Sequence, residues 1–131
     1  WAIREPQRYQ LIFGTPIPGY VAPYDQIFPA AARSLGALVS IIDGLRTANR
    51  LDCTGLPLPP PELDLQFQAW KTYGGEAQVV SLSVAVLIWG RVHGLVSLEI
   101  ANAFPPYAPS VEALYDYELT AIIRHFLKEQ E

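Results

Sequence analysis

The sequence contains no methionine, one cysteine and only nine lysine and arginine residues among its 131 positions. Each scarcity excludes something. The single cysteine, Cys53, cannot close an intrachain disulfide, and nothing resembles a secretory leader, so a reducing, cytoplasmic setting is expected. Nine basic residues against thirteen acidic ones leave a net charge of −4 and no basic run. A reader of duplex DNA needs a basic face to meet phosphates, so the chain alone is expected to bind nucleic acid poorly. The missing methionine, the opening on Trp1 and an uncapped, helix-like run from Trp1 to Glu5 lead us to expect a piece cut from a longer protein.

Chemistry-bearing motifs are equally scarce. The histidines are His93 and His125, and no H-E-x-x-H or C-x-x-C spacing, phosphate loop or G-x-S-x-G turn occurs. No acidic pair sits among apolar residues in the manner of a general acid and base. We therefore expect no catalytic residue, no metal and no cofactor, and a protein that is not an enzyme.

Apolar residues are plentiful. They make up 50% of the chain against 17% charged, and mean hydropathy is +0.16. A chain of this length forms one domain with one core, here residues 1–131. That core would not absorb so much apolar surface, which leaves a partner surface or an internal pocket to take the rest.

Periodicity supplies the architecture. Pro6 suits the first turn of a helix reaching about Phe13, with Tyr9, Ile12 and Phe13 on one side and Gly14 as its cap. Three prolines between Thr15 and Pro23 forbid regular structure, yet Ile17, Tyr20 and Val21 are apolar, so this loop is expected to pack down on the body. From Asp25 to Leu51, Ile27, Ala31, Leu35, Leu38, Ile42 and Leu45 recur at helical spacing, which requires Pro29 to lie in the first turn. After a proline-rich loop, a helix runs from Pro61, through Leu63, Phe67 and Trp70, to Gly74-Gly75.

The segment Glu76–Phe104 is ambiguous. Val80 to Val86 alternates like a strand, but apolar character continues to Ile100 and no other segment offers a pairing partner, so a helix is expected. It would be apolar on opposite faces and hence covered on both. Its uncharged run stops at Gly90, short of the roughly 20 residues a bilayer requires, so no membrane span is expected. Gly90, Gly94 and Ser97 would let another helix approach closely. Beyond a stiff turn at Phe104–Pro109, a last helix from Ser110 to Glu129 carries Leu114, Leu119, Ile122 and Phe126. The sum is an all-α bundle of about five helices.

Two stretches resemble a known family. Arg8-Tyr9-Gln10-Leu11-Ile12-Phe13-Gly14-Thr15-Pro16-Ile17-Pro18-Gly19-Tyr20-Val21-Ala22-Pro23 is similar to the segment after the first long effector-domain helix of many TetR-type regulators. Trp89-Gly90-Arg91-Val92-His93-Gly94-Leu95-Val96-Ser97-Leu98-Glu99 resembles the tryptophan, histidine and glycine signature of the WHG-type C-terminal domain in that family. The resemblance implies a homodimer built on an intermolecular four-helix bundle, an apolar small-molecule effector, and operator DNA contacted only through an N-terminal helix-turn-helix domain that this chain lacks. Repressor activity is the expectation that goes with it. The alternatives are a structural dimerisation module without a ligand, or a small helical enzyme.

Candidate pocket residues are Phe13, Tyr20, Leu38, Trp70, Tyr73, Trp89 and His93, around an enclosed cavity between the second, third and fourth helices. Four of them have a plainer reading. His93 serves as a histidine bonded to a neighbouring helix, and Trp70, Tyr73 and Trp89 serve as core aromatics. Candidate dimer-interface residues are Arg91, Leu95, Leu98, Leu114, Glu118, Leu119, Ile122 and Phe126. Arg91 and Glu99 pair across the interface in one reading and reach solvent at its rim in the other.

Overall fold

The computed structural model describes residues 1–15, 18–105 and 111–128, without the side chains of Ala69, Tyr73 and Gly74. The described residues form five helices and no strand: α1 (Pro6–Phe13), α2 (Tyr24–Thr47), α3 (Pro61–Gly74), α4 (Val79–Ile100) and α5 (Val111–Phe126). The strand-like alternation at Val80–Val86 is thus helical. Ser110, Glu129 and most of the turn before α5 lie outside the described residues.

Proline and asparagine set the borders. Pro6 and Pro61 open α1 and α3, where a missing N–H costs nothing. α2 stops at Thr47 rather than Leu51 because Asn49 turns left-handed, with φ of 56°. The Arg50 N–H then reaches back to the Leu45 carbonyl and the Asn49 N–H to that of Arg46. α4 ends in the same way. Asn102 has φ of 51°, and the Ala103 and Asn102 N–H groups bond the Leu98 and Glu99 carbonyls. Asparagine here takes the place usually held by glycine. Gly14 is not left-handed; it is needed because a β-carbon there would strike the Gln10 carbonyl. Pro29 falls in the second turn of α2, since the helix starts at Tyr24, and so leaves the Asp25 carbonyl without its usual helical donor.

The core lies where α2, α3 and α4 meet. Ala32, Leu35, Val39 and Ile42 on α2 recur at helical spacing and pack with Leu82, Val84 and Ala85 of α4 and Trp70 of α3. Both α2 and α4 are long and apolar enough to cross a membrane by length and composition alone. In this fold their apolar faces form the core of a helical bundle. One polar staple crosses the core: the fully buried Ser81 hydroxyl donates to Asp43 Oδ1 at 2.7 Å, and Arg46 Nε donates to the same oxygen at 2.9 Å. Both bonds hold the Asp43 carboxyl below its ordinary pKa, with Arg46 contributing more than Ser81.

α5 is fastened at its far end to the α2–α3 connection. Leu51 and Leu127 form an antiparallel bridge, the Asp52 N–H donates to the Phe126 carbonyl at 2.8 Å, and the Lys128 N–H to that of Arg50 at 3.0 Å. Lys128 Nζ adds a bond to Asn49 Oδ1 at 2.8 Å. The described part of the Thr15–Pro23 loop does not pack down as expected, since Val21 is 89% exposed and Tyr20 is 56% exposed; Ile17 lies outside the described residues.

Candidate effector cleft and pairing face

α1 meets the body through one side. Tyr9 and Phe13, one turn apart, face α4, while Leu11 and Ile12 stay exposed. Tyr9 is the one buried residue of α1, and its hydroxyl lies 2.7 Å from His93 Nδ1 and 3.3 Å from Ser97 Oγ. Around the imidazole stand Phe13 at 4.4 Å, Trp89 at 4.5 Å and the stacked Tyr9 ring at 5.7 Å between centroids. Burial holds His93 below its ordinary pKa of 6.5, which keeps the imidazole neutral near pH 7.

These side chains border an open cleft of about 250 Å³ floored by Gly90, Gly94 and Ser97. The two glycines have nothing near the position of a β-carbon, so their bareness widens the cleft rather than seating a neighbouring helix of the same chain. A second hollow, of about 480 Å³, shares Tyr9, Phe13 and Ser97 and adds Gln10, Thr15 and Ile100. Together they offer aromatic rings at one end and hydrogen-bonding groups at the other. That mixture suits a small molecule.

The sequence candidates therefore separate. Phe13, Trp89 and His93 are brought together. Leu38 packs against the core, and Trp70 is buried in it, the place the plainer reading gave Trp70. Tyr20 stands exposed on its loop, and the Tyr73 side chain lies outside the described residues. Tyr9 was missed as a candidate. Its signal was the i, i+4 spacing to Phe13, but one buried hydroxyl cannot be read from apolar periodicity. His93 is bonded to a neighbouring helix and also borders the cleft. Another groove of about 230 Å³ lies between the proline-rich connection, α3 and α4, lined by Leu56, Leu58, Leu63, Phe67, Val86 and Leu87 among others. None of the candidate pocket residues lines it.

The expected interface also divides. On α5, Tyr115, Glu118, Ile122 and Phe126 fall on the inward stripe, and Ile122 and Phe126 are buried in their own subunit. Leu114 and Leu119 flank that stripe and stay exposed, as do Ile123 beside Leu119 and Leu98 on α4. Leu95 is half-buried. Arg91 pairs with Glu118 of α5 within the same chain. The Tyr115 hydroxyl donates to Glu99 Oε2 at 2.9 Å, and its burial and that bond push the phenol up to about 12. The charges assigned to a subunit boundary therefore find partners inside the subunit, because α4 and α5 lie close enough for long side chains to meet.

Comparison with known proteins places the domain. The family described as "Tetracyclin repressor-like, C-terminal domain" matches residues 1–122. The HTH-type transcriptional regulators Mb1846 of Mycobacterium bovis and Rv1816 of Mycobacterium tuberculosis are each 33% identical over 106 residues, covering 79% of this chain and 44% of theirs. The crystal structure of the regulatory protein SCO4313 superposes with a TM-score of 0.68 at 30% identity, over 95% of this chain and 55% of that one. The class is thus a helical C-terminal domain of a transcriptional regulator. The chain belongs to the tetracycline-repressor-like family through its C-terminal domain, and it spans less than half the length of the curated relatives it matches.

Proposed function

We propose that this domain senses a small molecule and pairs two subunits of a cytoplasmic TetR-type regulator, and that the intact protein reads its operator through a segment beyond residues 1–131. The observation that carries the sensing role is the cleft of Tyr9, Phe13, Trp89 and His93, built from segments about 80 residues apart. Occupying it would bear on α1, which is docked on α4 chiefly by Tyr9 and Phe13. α1 lies near the start of the matched region, so its movement is a direct route by which an effector would alter operator affinity. Repression relieved by the effector is the reading that goes with the family resemblance.

Pairing is supported by the apolar surface left on α4 and α5, where Leu98, Leu119 and Ile123 are each at least 44% exposed. A two-fold pair presents the same patch on both copies, and a stable one buries upward of about 1,000 Å². Sedimentation at micromolar concentration is expected to show a dimer, and Leu119→Glu with Ile123→Glu to yield a folded monomer; a wild-type monomer overturns the pairing role. For sensing, thermal-shift screening with flat apolar molecules is expected to find stabilisers whose effect is lost in Trp89→Ala. Stabilisers indifferent to Trp89, His93 and Phe13 would overturn the cleft assignment. The alternative, a pairing module without a ligand, draws on the solid packing of Leu38 and Trp70 where an enclosed cavity was expected.

A further inference from the structure

Ser97 is exposed and lines both hollows between α1 and α4, one turn beyond His93 on the same helix. Its Oγ lies 3.3 Å from the Tyr9 hydroxyl, which in turn lies 2.7 Å from His93 Nδ1. Three groups that can each donate or accept are thus set in series, and their chemistry fixes the sense. Burial keeps the imidazole neutral near pH 7, so one of its nitrogens is bare. A phenol is a strong donor and a weak acceptor, and a bare imidazole nitrogen is a strong acceptor. Tyr9 therefore donates to His93, and its oxygen is left to accept from Ser97. A hydroxyl has one proton and two lone pairs. With its proton turned to Tyr9, Ser97 offers the cleft an acceptor and no donor.

The surroundings narrow what could use that acceptor. Gly90 and Gly94 leave a bare strip of α4 about one helical turn long, and a β-carbon at either would meet open space. Phe13 and Trp89 border the same cleft, their rings edge-on at 6.3 Å between centroids. A planar ring laid on the strip meets backbone on one face and aromatic edges beside it. None of the described residues lining the two hollows carries a formal charge. A carboxylate or ammonium group brought there gives up water with no opposite charge to receive it.

We infer that the α1–α4 cleft selects neutral planar aromatic alcohols, such as phenols and naphthols, whose hydroxyl donates to Ser97 Oγ at the open end of a relay running from Ser97 through Tyr9 to His93. The inference rests on the sensing role proposed for this cleft and names the group its ligand must carry. Members of such a relay polarise one another, so a donor entering at Ser97 is held more strongly than by an isolated serine. An ether or ketone of the same shape meets no proton there.

Three probes of similar shape test it by calorimetric titration at neutral pH: 2-naphthol, which has the donor; 2-methoxynaphthalene, which has the oxygen without the proton; and 2-naphthoate, which is charged. The wild type is expected to bind 2-naphthol roughly tenfold more tightly than 2-methoxynaphthalene, the worth of one hydrogen bond, and not to bind 2-naphthoate. Ser97→Ala is expected to erase the preference by weakening 2-naphthol alone. Tyr9→Phe frees the Ser97 proton to turn toward the cleft and is expected to narrow the preference, a ratio that loosening of α1 leaves unchanged because it weakens both probes alike. Gly94→Leu fills the strip and is expected to abolish binding of both. Ser97 and Gly94 are exposed, so neither change removes core packing. Equal binding of 2-naphthol and 2-methoxynaphthalene, lost in Gly94→Leu, overturns the recognition of a donor and leaves the cleft standing. A preference for 2-naphthol that persists in Ser97→Ala overturns the relay. Binding that survives Gly94→Leu, or no binding of any probe to the wild type, overturns the cleft together with the inference.

Discussion

The two ends of α4 solve different problems with one continuous helix. In the first two turns, Ser81, Leu82, Val84 and Ala85 are all 0% exposed. From Leu87 to Ile100 no residue is fully buried. The first part belongs to the core with α2 and α3. The second part reaches its neighbours through side-chain joints: His93 to Tyr9, Arg91 to Glu118, and Glu99 to Tyr115. Packed apolar surface makes the first part rigid, and joints that open one at a time make the second adaptable. The cleft and the exposed apolar residues of the proposed pairing face both include the adaptable part.

That contrast can be broken at its strong end first. Leu82→Ala removes a fully enclosed side chain and is expected to cost about 2–5 kcal/mol, read as a lower midpoint in urea with an unchanged slope. A loss under about 1 kcal/mol, well below that range, would mean that the two halves of α4 are packed alike. Ser81→Ala comes next, at about 1.5–3 kcal/mol for a bond to a charged group. It also changes the acid response. Asp43 titrates below its ordinary value of 3.8 in the folded state, so its contribution is present above that pH and is lost as pH falls through the folded value. Acid unfolding curves should therefore be less steep for Ser81→Ala than for the wild type.

The smallest expected effect lies at the adaptable end. Tyr9→Phe is expected to cost about 1 kcal/mol in global stability, while amide exchange in α1 accelerates well beyond that of α2. His93 adds a pH signature. Its folded pKa is below 6.5, so the unfolded state binds more protons just below that pH, and stability declines as pH falls from 6.5 toward the folded value. α1 is expected to loosen over that window first. Equal loosening of α1 and α2 would erase the distinction between the two ends.

Much of the architecture was legible because prolines and glycines act locally. Pro6, Pro61 and the Gly74-Gly75 pair mark helix borders whatever surrounds them. The long apolar run through Ile100 identified α4 as a helix although its first residues alternate. Asn49 and Asn102 were harder, since asparagine is only an occasional left-handed residue. Direction was harder still. Periodicity gives α5 a broad apolar face but does not say that Ile122 and Phe126 turn toward Leu51 while Leu119 and Ile123 turn away. The candidate pocket residues divide for the same reason. Trp70 and Trp89 look alike in sequence, and only the position of α1 puts one beside a cleft and the other in the core.

The clasp between Leu51 and Leu127 has a consequence for the order in which the molecule can be made. Leu51 is 6% exposed and Phe126 is 4% exposed, and the Asp52 N–H meets the Phe126 carbonyl directly. Those partners are separated by more than seventy residues, a long loop to close. During synthesis, α2 and α3 can emerge and pack while this edge of the core stays uncovered, because its cover is among the last stretches described. A ribosome-bound chain halted before α5 would expose the Leu51 edge to chaperones, and folding would finish only after Phe126 had cleared the exit tunnel.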